Sequence, residues 1–215
     1  AEGGVVVATA FGTSWVRDGY AQTIELGSEV ETLGVRSDGR NWAATRDGKL
    51  FEIRSASADL LSESSVPFWR GHTDDMDRIW LGTYGYGLYR YSDDRVQIAD
   101  SSGGLPAGGI NGVDCLPGSN LIAATAGGSV VVGTDTVPRS SAWALDEFEC
   151  SAVAVDQDGC AWIGRRNGVV ARYINGRLEE CERVDGLKRH RVDSICPSTN
   201  GTWVAARFGR GVVRY

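Results

Sequence analysis

Val153-Ala-Val-Asp-Gln-Asp-Gly159-Cys-Ala-Trp162-Ile-Gly-Arg-Arg-Asn-Gly168-Val-Val-Ala-Arg-Tyr173 reads as a short antiparallel sheet written out in order. An apolar run ends at Asp158-Gly159, where Gly accepts the positive φ a tight hairpin turn requires. A second run carries Trp162, and a third follows Gly168. A more polar stretch, Arg177–Val184, comes next. Four strands, here named A to D in chain order, account for the unit.

The unit recurs. Leu33-Gly-Val-Arg-Ser-Asp-Gly39-Arg-Asn-Trp42-Ala-Ala-Thr-Arg-Asp-Gly48-Lys-Leu-Phe-Glu-Ile53 is a second copy, and Ile195–Tyr215 with Trp203 is a third. A fourth carries Ile79-Trp80-Leu-Gly-Thr83-Tyr-Gly85-Tyr-Gly-Leu-Tyr-Arg-Tyr91. Two degenerate copies put an aliphatic residue in place of Trp: Val6-Val-Ala-Thr9 and Ile122-Ala-Ala-Thr125. From Val6 through Trp42, Trp80, Ile122, Trp162 and Trp203 the gaps are 36, 38, 42, 40 and 41 residues. A period of about 40 to 45 residues with four strands is that of one propeller blade. Helical solenoids need apolar faces at a 3.6-residue period, and none runs between these glycine-punctuated turns.

The expected fold is therefore all-β, a β-propeller of about six four-stranded blades, with five or seven as alternatives. A single domain spans 1–215, with units near 1–28, 29–65, 66–108, 109–148, 149–188 and 189–215. Starting at a B strand and ending at a C strand gives 22 strands. The first blade then lacks its inner strand and the last its outer one, so a partner chain completes the ring, the end repeats are irregular, or the parent protein is longer.

Composition agrees. Gly is 29 of 215 residues, roughly twice the usual share of about 7 %, and is spread as turn punctuation. The net charge of −6 argues against nucleic acid as a partner. No apolar run approaches the roughly 18 residues of a membrane span. The opening Ala1-Glu2-Gly3-Gly4 has no signal-peptide character. Five cysteines (115, 150, 160, 181 and 196) show no zinc spacing, and one disulfide, Cys150 to Cys160, is conceivable across paired strands.

The pattern V-x-x-I…D-x-D-G-x-x-W-I-G-T…G-L-x-R-Y, with Gly104-Leu105-Pro106 and Asp185-Gly186-Leu187 as linkers, resembles the two-component regulator propeller repeat. The resemblance covers nearly the whole chain. It implies a sensor-type propeller in a periplasmic or extracellular setting. It specifies a fold far more narrowly than a ligand.

Propeller topology sorts loops by face. Loops A–B and C–D collect Asp38, Asp74, Asp75, Asp77, Asp93, Asp94, Asp135, Asp156 and Asp158. Most are turn formers by type; Asp156/Asp158 and Asp74/Asp75/Asp77 are also considered for calcium. Loops B–C and D–A collect Arg46, Arg165, Arg166, Asn167, Lys188, Arg189, His190, Arg191, Arg207, Phe208 and Arg210, with Tyr84 and Tyr86 on the same face. Arginine forks bind carboxylate, sulfate or phosphate in two-pronged fashion. Trp69, next to an inner strand, is a candidate channel residue and sugar platform.

No P-loop, dinucleotide or nucleophile-elbow motif occurs. Asp114 and Asp193 are the inner-strand acids a glycosidase would use. The expectation is a non-enzymatic recognition module without metal or cofactor, binding a protein or an acidic ligand on the B–C/D–A face. A carbohydrate-binding or carbohydrate-active propeller is the alternative, and an assembly subunit completed by another chain is a third.

Overall fold

A computed structural model describes residues 4–92, 95–99, 105–106, 108–118, 120–133, 142–181, 187, 190–207 and 211–215; side chains of 95–99 and 142–144 are not described. Among these residues twenty-two strands form six antiparallel sheets. The first is β1 (Val5–Thr9), β2 (Gly12–Arg17) and β3 (Tyr20–Ile24). The second is β4 (Val30–Val35), β5 (Asn41–Thr45), β6 (Lys49–Arg54) and β7 (Ser57–Glu63). Then come β8 (Phe68–Thr73), β9 (Ile79–Thr83), β10 (Leu88–Ser92) and β11 (Arg95–Ala99). The fourth sheet is β12 (Ile110–Leu116), β13 (Asn120–Thr125), β14 (Gly128–Gly133) and β15 (Ala142–Ala144). The fifth is β16 (Cys150–Val155), β17 (Ala161–Arg165), β18 (Val170–Ile174) and β19 (Arg177–Glu180). The last is β20 (Val192–Ser198), β21 (Gly201–Ala206) and β22 (Val212–Arg214).

Every strand pairs with its sequence neighbour, and β4, β8, β12, β16 and β20 lie side by side along the inside of the arc. This is a β-propeller. Among the described residues the first sheet has no inner strand and the last no outer strand.

Each of five hydrophobic clusters joins two successive sheets. Trp42 shares one with Leu81, Trp80 with Ala123, Ile122 with Ile163, Trp162 with Val204 and Val6 with Ala43. The marker side chain of one B strand thus packs with the residue after the marker in the next. Small residues set the spacing. A Cβ on Gly71 would stand 2.7 Å from the Trp42 ring, and one on Gly82 would stand 2.5 Å from Ile110.

The turns follow their chemistry. Asp156 Oδ1 accepts from Asp158 N and Cys160 N, and Gly159 takes φ +78°. Its Oδ2 accepts the Trp162 indole N–H at 2.9 Å. Asp74 repeats this with Met76 N, Arg78 N and the Trp80 indole. In the second sheet Arg36 stands six residues before Trp42, and that indole donates instead to Thr73 Oγ1 of the next sheet. At the B–C loops, Thr45, Thr83 and Thr125 donate to the backbone carbonyls of Lys49, Gly87 and Gly128, closing each loop.

Two expectations need correction. All five cysteines are free. Cys150 opens β16 opposite Arg165, whereas Cys160 lies at the far end of that hairpin, so the two thiols cannot meet. The repeat also marks Trp42, Trp80, Trp162 and Trp203 alike as core residues, but Trp203 is 44 % exposed, since among the described residues no sheet packs on its face.

Candidate binding site at the channel mouth

All five inner strands carry a β-bulge at one equivalent position, which holds Glu31, Trp69, Asn111, Ser151 and Asp193. A bulge interrupts the ladder and re-aims its side chain. Inner strands also face a problem of their own. Their second edge opens on the channel, and its backbone groups need partners. Asn111 Nδ2 donates to Cys150 O at 2.8 Å, and Ser151 Oγ donates to Val192 O at 2.5 Å. Each caps the carbonyl just before the bulge of the next inner strand. Nearer the other end of the channel, Asp114 Oδ2 accepts from Val155 N in the same cross-sheet sense, and its Oδ1 lies 3.3 Å from His72 Nε2.

Glu31 and Asp193 hold the arginines of their own B–C loops. Arg46 pairs with Glu31 at 2.6 Å and Glu29 at 2.7 Å, while Arg207 and Arg191 lie 3.6 and 3.1 Å from Asp193. Arg166 pairs with Glu149 at 2.7 Å. Arg165 is 3 % exposed, takes the slot that Thr fills in other sheets, and bonds Asp146 at 2.8 Å and Glu180. Burial alone would lower its pKa; the hydrogen bonds to Glu180 and Asp146 outweigh that and raise it. The B–C/D–A face is therefore not an array of unpaired cations at these five arginines. Carboxylates of the D–A segments (Glu29, Asp146, Glu149), of the inner-strand bulges (Glu31, Asp193) and of β19 (Glu180) answer them.

Of the remaining expected residues, Asn167 Oδ1 accepts from Val169 N inside its loop. His190 is half-buried, its N–H donating to Leu187 O. Lys188, Arg189, Phe208 and Arg210 lie outside the described residues. Trp69 meets Tyr84 edge-on with centroids 6.4 Å apart, and Tyr84 and Tyr86 are exposed. Phe11 and Phe148 add aromatic surface to this face. Both stand in loops that the repeat leaves free, and an aromatic residue in such a loop was the readable sign.

The residue that sequence reasoning missed is Arg70. Its guanidinium lies 5.0 Å over the Trp69 ring and donates to Trp69 O, and among the described residues no carboxylate stands within ion-pair distance of it. Arg70 lines a cavity of about 180 Å³ at the channel mouth with Asn111, Ser151, Asp193 and Ser194. Small-molecule pockets usually run to about 300–1,000 Å³. This one has room for an end group of a ligand whose body lies outside, against the aromatic rim. A cleft of about 280 Å³ on the opposite face, beside Asp156 and Asp158, is lined by a turn whose Asp156 carboxylate is already committed. Among the described residues no cluster of three or more His, Cys, Asp or Glu could hold a metal.

The catalytic groups considered are engaged. Asp114 holds backbone N–H groups and Asp193 holds arginines. Burial pushes the Cys115 and Cys150 thiols up to about 12 and Cys160 to about 11, which keeps them protonated at neutral pH.

No family model matches the sequence, and no curated protein matches it. Solved structures do. An extracellular domain described as that of the one component system BT4673 from B. thetaiotaomicron superposes with a TM-score of 0.78 at 17 % identity, over 100 % of this chain and 31 % of that one. That of the hybrid two component system BT3049 from the same organism gives 0.73 at 18 %, over 95 % and 31 %. Virginiamycin B lyase from Staphylococcus aureus gives 0.74 at 12 %, over 100 % and 84 %. The chain thus spans about a third of the length of the two ectodomains. At these identities the likeness establishes the propeller fold. No helix among the described residues is long and apolar enough to cross a membrane.

Proposed function

We propose that this propeller is a non-enzymatic recognition module, of the extracellular or periplasmic kind, that binds an acidic ligand or partner at the channel mouth. One observation carries the reading. Arg46, Arg165, Arg166, Arg191 and Arg207 each have a carboxylate within ion-pair distance, whereas Arg70, lining the cavity, has none among the described residues. A ligand carboxylate would supply it, and Trp69 with Tyr84 would carry an adjoining ring.

The test is a calorimetric and thermal-shift comparison of acidic and neutral sugars and of acidic peptides. Arg70→Glu should abolish binding, and Arg70→Ala should weaken it roughly 10- to 100-fold, the worth of about one hydrogen bond to a charged group. Arg166→Glu should leave affinity within about threefold, since a surface ion pair contributes little. Acidic ligands that bind Arg70→Glu as well as wild type would overturn the assignment. The pair of half-buried Trp69 and exposed Tyr84 favours a second reading, a neutral carbohydrate site. Neutral-sugar binding lost in Trp69→Ala and retained in Arg70→Glu would establish that alternative.

A further inference from the structure

In three sheets the glycine of the B–C loop packs against the backbone of the D–A connection. A Cβ on Gly48, Gly128 or Gly168 would run into the carbonyl of Ser64, Asp146 or Leu187. The first sheet departs from this, since a Cβ on Gly12 would meet nothing within 4 Å. Yet its loop is built as in the fourth sheet. Phe11 N and Gly127 N donate to Thr9 and Thr125 Oγ1, each at 3.1 Å, and those hydroxyls donate to Gly12 O and Gly128 O. The φ angle is +141° at Gly12 and +131° at Gly128. The turn is shared, and only the connection beside it stands apart.

The gap is a cavity of about 380 Å³, within the usual range for small-molecule sites. Its walls are residues 9–13 and 23–30; Val5–Ala8 of β1 are no part of it. In the fourth sheet the corresponding space is filled. Ser129 O accepts from Leu145 N, and the next residue, Asp146, accepts from Ser129 N and Oγ at 3.1 and 3.0 Å. The matching residues of the first sheet are Thr13, Ile24 and Glu25. Thr13 is 4 % exposed and lines the cavity, and its hydroxyl has no hydrogen-bond partner among the described residues. A buried hydroxyl left without a partner beside a cavity calls for a ligand atom. Glu25 is exposed, with no cation within ion-pair distance among the described residues. Glu29 also lines the cavity and shares Arg46 with Glu31. Three carboxylates thus answer to one guanidinium. Phe11, fully exposed, stands at the rim where the fourth sheet has Gly127.

We propose that this cavity binds an alkylammonium group, carried by a free amine or by a lysine side chain. Glu25 supplies the carboxylate, Thr13 an oxygen that accepts from the N–H, and Phe11 an aromatic face for the cation. The site is opposite in sign to the channel mouth and independent of it. Each contact is worth little in so open a place, so binding is of millimolar strength and weakens with salt.

An amide NMR titration of the whole chain tests it, with butylammonium, a backbone-blocked lysine and 1-butanol as probes. The amines should give saturable shifts at Gly12, Thr13 and Gly27, and butanol should give none. Gly127–Ser129 form the same turn with its space filled and should not move. Glu25→Gln and Phe11→Ala, both at exposed positions, should each weaken binding roughly three- to fivefold. Thr13→Val should weaken it roughly two- to tenfold without lowering Tm. Ser129→Ala, which breaks the bond to Asp146, should lower Tm instead. Tighter binding of one amine tells a lysine side chain from a free amine, and either result bears the proposal out. Shifts that spread over the acidic surface without saturating, binding undiminished in Glu25→Gln, or equal binding of butanol would overturn it. Arg70→Glu should leave amine binding unchanged, so failure here and failure at the channel mouth are read apart.

Discussion

Asp74→Ala probes the logic of the turns most sharply. The Asp74 side chain is 4 % exposed and serves four donors: Met76 N at 2.9 Å, Arg78 N at 3.0 Å, Arg78 Nε at 2.5 Å and the Trp80 indole at 2.7 Å. Alanine would strand the indole of a fully buried tryptophan and leave Arg78, itself nearly buried, without this carboxylate. Removing one member of a buried ion pair costs about 3–5 kcal/mol, because the other charge stays behind. Asp156 makes the same turn with three neutral donors and no arginine. Its loss should cost about 1–3 kcal/mol, the range for orphaned neutral donors.

Urea unfolding followed by tryptophan fluorescence measures both variants. Against a total stability of about 5–15 kcal/mol the two should separate clearly, and at about 2–4 °C per kcal/mol Asp74→Ala should lower Tm by roughly 6–20 °C. Trp80→Phe removes the stranded indole, so in the Asp74→Ala background it should cost less than in wild type. The reasoning fails if Asp74→Ala is no more destabilising than Asp156→Ala.

Two further perturbations follow from the same geometry. Arg165→Met strips a buried partner from Asp146 and should cost about 3–5 kcal/mol, whereas exposed Arg166→Ala should stay within about 1 kcal/mol; equal effects in thermal melts would refute the buried-pair assignment. Asp77 accepts from Ser37 Oγ and N across two sheets, and the hydroxyl bond, then the backbone bond, holds its pKa below the ordinary value of 3.8. A depressed carboxylate stabilises above its unfolded pKa and loses that contribution as pH falls through the folded one. The Tm gap between wild type and Ser37→Ala should therefore be present at pH 6 and close towards pH 2; a gap that widens in acid contradicts it.

What the sequence made legible was whatever a single repeat determines by itself. Trp spacing, Asp-Gly turns and strand order are local, and they carried over as sheets and hairpins. Arg165 could have been read too, since alignment puts it in the slot of Thr45, Thr83 and Thr125, a buried position. The bulges could not. A bulge is a shift in register between β4 and β5 or β8 and β9, and register belongs to a pair of strands rather than to the residues of one. Nor could the exposure of Trp203 be read from its motif, because burial of a marker belongs to the sheet that follows. The arginine cluster misled for a related reason. Its cations Arg46, Arg166 and Arg207 lie in B–C loops. Their anions Glu29 and Glu149 lie in the connections before the inner strands, and Glu31 and Asp193 at the inner-strand bulges. Counting one sign per loop hid the pairing.

The bulge position shows where a repeat architecture leaves room for function. The same structural demand recurs at each inner strand: a free carbonyl edge beside a channel must be satisfied. Asn111 and Ser151 meet it directly, and substituting either would damage the packing of two sheets at once. Glu31 and Asp193 spend the position on loop arginines. The third sheet departs from both solutions by placing a tryptophan there and an arginine beside it, stacked on one another at the edge of the cavity. Neither side chain is what a cap requires, since an indole ring is large and a guanidinium needs an anion. A position freed from the structural rule, holding an aromatic face and a cation without a carboxylate in reach among the described residues, is what the proposed acidic-ligand site rests on.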